Sequence, residues 1–98
     1  MKNAGAANDF PTRLLGKTGV RIPILGLGTG PGGMALADKQ AIALYHRAID
    51  LGVTYIDSAP SYDNAHRQLA QVLKDRRAEV FLTTKVPVDT REEALASL

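Results

Sequence analysis

A short apolar strand that ends on an acidic residue places the tightest constraint on how this chain folds. Residues 53–56 are rich in β-branched and aromatic side chains, a composition typical of a buried strand. Asp57 follows directly, at the point where the strand gives way to a loop. Pro60 disfavours helical backbone angles at Ala59, so the chain leaves the strand extended, and Tyr62 comes next. The pattern predicts an acid and a phenol just beyond the carboxyl end of one strand.

A second apolar segment, residues 79–86, also carries a polar residue near its end. It is predicted to be a strand, with Lys85 close to its carboxyl end. The amphipathic residues 65–75 predict a helix between the two strands. Strands that alternate with helices form βαβ units with parallel strands, whose carboxyl ends meet at one edge of the sheet. We therefore predict that Asp57, Tyr62 and Lys85 cluster at that edge, where α/β folds carry out chemistry.

The segment before the central strand predicts a hairpin, another strand and a helix. Residues 13–15 and 20–22 flank a turn bracketed by glycines, which is the pattern of a hairpin. Residues 24–27 predict a short apolar strand. Asp38 is the predicted N-cap of a helix over residues 39–51.

Several residues mark where helices begin, end and face the core. Gly52 stands where a left-handed C-terminal cap belongs, and Asp63 or Asn64 is predicted to cap the second helix. Thr90 followed by Glu93 is a capping-box pattern that opens a further helix. On the first helix, apolar residues at helical spacing predict this buried face: Ala41, Ile42, Tyr45, Ala48 and Ile49.

Composition argues against several classes of function. The chain has 98 residues, enough for one small domain. Its net charge is +2, and its basic residues are spread along the sequence, whereas a nucleic-acid-binding surface needs them clustered on one face. It has no cysteine, so no disulfide, thiolate nucleophile or cysteine-based zinc site is expected, and we predict no metal site. Residues 1–12 predict a flexible tail, and residues 13–98 the folded domain. We expect a cytoplasmic protein with no membrane or nucleic-acid partner.

Three separated motifs resemble those of the aldo-keto reductase family and occur in that family's order. They are Leu25-Gly26-Leu27-Gly28-Thr29-Gly30, Asp57-Ser58-Ala59-Pro60-Ser61-Tyr62 and Thr83-Thr84-Lys85-Val86. The resemblance implies an α/β fold, the N-terminal portion of a (β/α)8 TIM barrel. In that fold a leading β-hairpin is followed by three parallel strands with intervening helices.

The resemblance also implies a role for each site residue. Tyr62 is implied to be the acid that protonates a carbonyl oxygen, and Lys85 the cation that favours its phenolate. Asp57 is implied to hold the Lys85 ammonium charged and oriented. Four residues are implied to lie against the cofactor: Gly28, Thr29, Gly30 and Asp57.

The implied activity is the NAD(P)H-dependent reduction of aldehydes or ketones to alcohols. NADP(H) is the expected cofactor, with NAD(H) as the alternative, and the expected partner is a small carbonyl compound. The family also uses a histidine, for which this chain has no counterpart: His46 lies in mid-helix, and His66 in the first turn of the second helix, where solvation is expected. We therefore expect activity only in a complete barrel, and none from this chain alone.

Other interpretations stay open at this stage. The segment Gly28-Thr29-Gly30-Pro31-Gly32-Gly33 matches the G-x-G-x-x-G fingerprint, which indicates a Rossmann-type nucleotide-binding module. That fingerprint opens a helix directly, whereas here Pro31 interrupts and the predicted helix cap is Asp38. A third possibility is a truncated non-catalytic remnant that acts in assembly. Taken singly, Asp57 is also compatible with a turn cap, Tyr62 with a core contact and Lys85 with a solvated surface.

The chain departs from the family pattern after the tyrosine. Family members usually carry Gly, then Ser or Asn and Glu, and a Leu-Gly pair further along the helix. This chain instead has Asp63, Ala65, His66 and Ala70. The departures predict that the tyrosine loop and the helix start are set differently here.

Overall fold

The fold is a β-hairpin followed by a parallel sheet with helices between its strands. The computed structural model describes residues 10–33 and 35–97. Of the predicted tail, residues 1–9 lie outside the described residues, and Thr12 belongs to the first strand. In chain order the elements are β1 (Thr12–Leu14), β2 (Arg21–Pro23), β3 (Gly26–Gly28), α1 (Thr29–Gly33), α2 (Asp38–Asp50), β4 (Tyr55–Asp57), α3 (Ala65–Arg76), a 3-10 turn (Arg77–Glu79), β5 (Phe81–Thr83) and α4 (Arg91–Ala96).

β1 and β2 form the predicted antiparallel hairpin, in which Arg13 pairs with Ile22. The connecting turn contains Gly16 and Gly19, with φ angles of 53° and 78°. Glycine adopts this left-handed region without the steric cost that a Cβ imposes. The two glycines thus let the chain reverse between strands of only three residues each.

β3, β4 and β5 form a parallel sheet in that order, as the alternation of strands and helices predicts. Leu27, Ile56 and Leu82 lie in register across it. Each strand is three residues long, shorter than predicted. The beginning of the predicted first strand extends the hairpin instead, because the Ile24 N–H donates to the Pro11 carbonyl oxygen at 3.0 Å.

A one-turn helix, α1, occupies the glycine cluster. The expectation that Pro31 interrupts a helix here, so that the first helix follows only after Asp38, is therefore wrong. Pro31 is compatible with α1 because it lies in the first turn, where a backbone N–H would have no partner within the helix. α1 remains separate from the long helix, which begins only at Asp38.

Asp38 is the first residue of α2, so the prediction that it is the N-cap is wrong. Ala37 occupies the N-cap position and provides no side-chain cap. The Asp38 carboxylate instead accepts hydrogen bonds from the Arg67 guanidinium at 2.6 and 3.0 Å and from Gln68 Nε2 at 3.1 Å. These bonds, that from Arg67 foremost, hold the pKa of Asp38 below its usual value. This two-point interaction engages the carboxylate with α3 instead of with the backbone of α2, and it ties the start of α2 to α3.

The core lies between the two long helices and one face of the sheet. The residues that form it are Ala41, Tyr45, Ile49, Ile56, Leu69, Val72 and Val80. The predicted apolar face of α2 is largely confirmed, although Ile42 is only partly buried. On α3, Leu73 is also only partly buried. Burial of this face is what holds α2 against α3 and the sheet.

α2 ends in the left-handed cap that the sequence predicts. The Val53 N–H donates to the Ala48 carbonyl oxygen at 2.9 Å, and the Gly52 N–H donates to that of Ile49 at 3.0 Å. Gly52 has a φ angle of 93°. This pair of bonds is a Schellman motif, which directs the chain from the helix into β4.

Gly52→Ala should lower the free energy of unfolding by about 1–2 kcal/mol, because a Cβ disfavours the left-handed conformation. Urea titration followed by circular dichroism measures this loss. Gly52→Asn is the matched variant and should lose less, since asparagine tolerates the same conformation. Equal losses in the two variants would show that the φ angle does not limit stability here.

The remaining helix starts differ in how they are capped. Asn64 occupies the N-cap position of α3 but forms no side-chain cap hydrogen bond. Thr90 caps α4 as predicted: its Oγ1 accepts from the Glu93 N–H at 3.1 Å. None of the helices in the described part of the chain is long and apolar enough to cross a membrane.

Candidate active site

The carboxyl edge of the parallel sheet brings together the polar residues that follow its strands. Gly28, Asp57 and Thr83 lie in register where β3, β4 and β5 end. Tyr62 lies in the loop after β4, and Lys85 lies just beyond β5. The three residues predicted to cluster at this edge therefore do so.

Lys85 bridges β5 and β4 through its ammonium group. Its Nζ donates to Oδ2 of Asp57 and to the backbone oxygen of Ser58, each at 2.9 Å. The Lys85 and Asp57 side chains are 47% and 39% exposed, and ion pairs this open to solvent contribute little to stability. The main consequence of the pair is therefore geometric, because it fixes the ammonium against the end of β4.

The pKa of the Lys85 ammonium is raised, first by its hydrogen bond to the Asp57 carboxylate and further by the neighbouring Tyr62 phenol. A pKa that is raised in the folded state adds stability below the ordinary pKa of lysine, and that stability is lost as the pH rises through the raised value. Near neutral pH, Lys85 is therefore a permanent cation beside Tyr62.

The Tyr62 ring lies between this cation and the first helical turn. Lys85 Nζ is 4.8 Å from the ring centroid, within the range of a cation–π interaction. A Cβ built on Gly30 would come within 3.2 Å of the ring carbons, so glycine at this position permits the close approach of α1. The loop is also held by its backbone, because the Tyr62 N–H donates to the Ala59 oxygen at 3.1 Å and the Ala65 N–H donates to the Tyr62 oxygen at 2.8 Å.

A buried pair of hydroxyl groups lies directly behind the site. Thr29 Oγ1 donates to Ser58 Oγ at 2.9 Å, and both residues are fully buried. The pair joins the start of α1 to the residue that follows Asp57. The Thr29 hydroxyl thus supports the end of β4, and contact of Thr29 with a cofactor stays a prediction.

His66 makes a contact that the sequence did not indicate. Its Nε2 lies 2.8 Å from Thr84 Oγ1, on the residue before Lys85. His66 is exposed, as expected. Its ring is also hydrogen-bonded, which was not expected. His46 lies away from the edge, with Nδ1 at 3.3 Å from a nitrogen of the Arg76 guanidinium.

A mostly apolar groove of about 290 Å³ lies between α3 and β5. Leu69, Leu73 and Leu82 line much of it, and His66 and Thr84 add polar groups. Asp57, Tyr62 and Lys85 are not among its lining residues, so the groove lies beside the edge that carries them.

Comparison with known proteins decides the family. The sequence profile described as the Aldo/keto reductase family matches residues 24–97, most of the chain. The chain belongs to the aldo-keto reductase family. The resemblance drawn from the three motifs is thereby confirmed, and the Rossmann-type alternative is wrong.

Individual aldo-keto reductases show how much of such a protein this chain represents. It is 37% identical to pyridoxal 4-dehydrogenase from Microbacterium luteolum over 79 residues. The matched segment is 76% of this chain and 23% of that protein. A solved structure assigned to the aldo-keto reductases, from Pseudomonas aeruginosa, superposes with a TM-score of 0.68 at 37% identity, over 76% of this chain and 30% of that one. A second structure from the same organism gives a TM-score of 0.67. The chain spans less than a third of the length of these relatives, and its hairpin and parallel strands are part of a (β/α)8 barrel.

One departure from the aldo-keto reductase pattern has a direct structural explanation. Asp63 has a φ angle of 46°, in the left-handed region that favours glycine. It occupies the position after Tyr62 where family members usually carry Gly. Glycine adopts such a conformation without steric cost, and aspartate is among the few other residues that tolerate it.

Proposed function

We propose that this chain provides the proton-donating part of an NAD(P)H-dependent oxidoreductase site that interconverts aldehydes or ketones with alcohols. The observation that carries the proposal is the position of the Lys85 ammonium, 2.9 Å from the Asp57 carboxylate and 4.8 Å from the centre of the Tyr62 ring. A phenol with a fixed cation beside it is suited to release a proton, because the cation stabilises the phenolate. We assign the catalytic roles to Asp57, Tyr62 and Lys85 on this basis.

Tyr62 is the general acid in this proposal. Its phenol gives a proton to the carbonyl oxygen of the substrate as that oxygen gains negative charge, and Lys85 stabilises the phenolate that remains. In the oxidative direction the phenolate accepts the proton of the alcohol. Asp57 accepts a hydrogen bond from Lys85 throughout, so that the ammonium keeps its charge and its direction.

The residues at this edge fit a nicotinamide cofactor. Lys85 occupies only Oδ2 of the Asp57 carboxylate, whose side chain is 39% exposed. Within the described residues Oδ1 is therefore open to a polar group such as a ribose hydroxyl. Gly28, in register with Asp57, adds backbone without a side chain beside it, and we propose that Gly30 and Thr29 complete the cofactor edge, with Thr29 also supporting it through Ser58. When bound, the reduced cofactor supplies the hydride for the carbonyl carbon.

The finer assignments are part of the same proposal. The name of the Microbacterium relative denotes a dehydrogenase of pyridoxal, so both directions of the reaction belong to the proposal. We propose a small carbonyl compound or the matching alcohol as substrate, NADP(H) as the preferred cofactor with NAD(H) as the alternative, and the cytoplasm as the location.

The test is to complete the barrel. Residues 24–97 would replace the matching segment of the Pseudomonas aeruginosa structure, to which they are 37% identical. The chimaera should consume NADPH in the presence of aldehydes. The 98-residue chain alone should neither consume NADPH nor bind it tightly, because the phosphate-binding loops of such barrels follow the last strands.

Two outcomes would contradict the proposal. The first is a folded chimaera that binds NADPH but reduces none of a panel of aliphatic and aromatic aldehydes and ketones. The second is micromolar NADPH binding by the 98-residue chain itself as a compact monomer, which fluorescence titration and size-exclusion chromatography would detect.

A further inference from the structure

The contact between His66 and Thr84 lies one residue before Lys85. The two side chains are 18 residues apart in sequence and 2.8 Å apart in space. The ladder between β4 and β5 ends where the Ser58 N–H donates to the Thr83 carbonyl oxygen at 2.8 Å. Thr84 therefore separates this last bond of the ladder from Lys85. A hydrogen bond to its hydroxyl restrains the backbone at the point from which the lysine side chain departs.

The helical turn that carries His66 is itself firmly held. Arg67 makes a two-point ion pair with Asp38, and the buried Gln68 donates to the Leu36 carbonyl oxygen at 3.1 Å. The same turn begins with Ala65, whose N–H donates to the Tyr62 carbonyl oxygen. The first turn of α3 thus contacts the tyrosine loop on one side and the lysine segment on the other.

We propose that His66 is a positioning residue that, through Thr84, fixes Lys85 relative to Tyr62. An imidazole nitrogen and a hydroxyl form this hydrogen bond with either group as the donor. The inference deepens the proposed function and rests on it for the catalytic meaning of the Lys85–Tyr62 geometry. The restraint itself is a property of the fold that is measurable without turnover.

The test uses the pKa of the Lys85 ammonium, followed by NMR in the full chain labelled at lysine Cε. Pairing with Asp57 raises this pKa, so Asp57→Asn should lower it. The decrease in Asp57→Asn is the full loss of the ion pair, against which the other variants are compared. His66→Ala and Thr84→Val should each produce most of that decrease, because a freely moving Lys85 pairs with Asp57 less often. His66→Gln should retain most of the raised pKa, since its amide nitrogen reaches to nearly the same place.

Several controls make the outcome decisive. Lys85→Arg identifies the signal, and the signals of Lys39 and Lys74 should not move in any variant. His66→Ala combined with Thr84→Val should lower the pKa no further than either change alone, which marks a shared contact rather than general loosening. An unchanged Lys85 pKa in His66→Ala, or an additive double variant, would overturn the proposal. So would a wild-type pKa that Asp57→Asn does not alter.

These outcomes are distinguishable from failure of the proposed function. A chimaera that reduces no carbonyl compound would remove the catalytic meaning of the geometry but leave the ammonium pKa unaffected. In an active chimaera, His66→Ala should lower kcat and leave KM for NADPH nearly unchanged, and His66→Gln should restore kcat. A parallel rise in KM with constant kcat would indicate a role in binding instead.

Discussion

In the completed barrel, Tyr62→Phe should lower kcat by about 10²–10⁴-fold, the usual contribution of a positioned general acid. The substitution removes only the phenolic oxygen. The ring remains packed on Gly30 and under the Lys85 ammonium, so the loop and the cofactor edge should keep their structure. Steady-state kinetics with a reactive aldehyde give kcat, and NADPH titration should show nearly unchanged affinity.

Tyr45→Phe is the matched control for this loss. The Tyr45 hydroxyl is buried and has no hydrogen-bond partner in the described part of the chain, so its removal costs no interaction. Its ring lies in the core and packs against Gly33, and it contacts none of Asp57, Tyr62 and Lys85 by a hydrogen bond. The control should keep wild-type kcat. If Tyr62→Phe also keeps it, another group supplies the proton and the assignment of Tyr62 fails.

Lys85→Met should lower kcat by about 10²–10³-fold, the cost of removing one preorganised electrostatic contact. The physical reason is that the ammonium beside the phenol stabilises the negative charge left on its oxygen when the proton is given up. Steady-state kinetics with the aldehyde used for Tyr62→Phe measure the loss.

Lys74→Met separates this effect from a general change in charge. Lys74 lies in the last turn of α3 and has the same formal charge, but it lies far along the helix from the tyrosine loop. Its replacement should leave kcat unchanged. Equal kcat values for Lys85→Met and Lys74→Met would show that the Lys85 ammonium does not act on the phenol.

The position of the main site residues was predictable because it depends on strand ends alone. Parallel strands bring their carboxyl ends to one edge of the sheet. Asp57 and Lys85 follow neighbouring strands, so their side chains come within reach of each other at that edge. The hydroxyl pair Thr29–Ser58 and the His66–Thr84 contact were not predictable in the same way. Each joins residues far apart in sequence through short polar side chains, which leave no periodic pattern. The one available signal is that Thr29 and Ser58 each follow directly after a strand.

The errors in the predicted fold also have physical causes. The glycine cluster has low helix propensity, yet it forms α1, where Gly30 and Gly33 pack closely against Tyr62 and Tyr45. Tertiary packing thus prevailed over local preference. Asp38 has the side chain of an N-cap, but Arg67 binds it from another helix. Gly52 and Thr90 behaved as predicted because their conformation depends only on neighbouring residues.

The order of strands in the sheet has a consequence for how the chain acquires its structure during synthesis. Each strand pairs with the one made just before it, β4 with β3 and β5 with β4. Synthesis runs from the N-terminus, so each strand is made after the neighbour with which it pairs. The two acceptors of the Lys85 ammonium, the Asp57 carboxylate and the Ser58 carbonyl oxygen, therefore both precede the lysine in the order of synthesis.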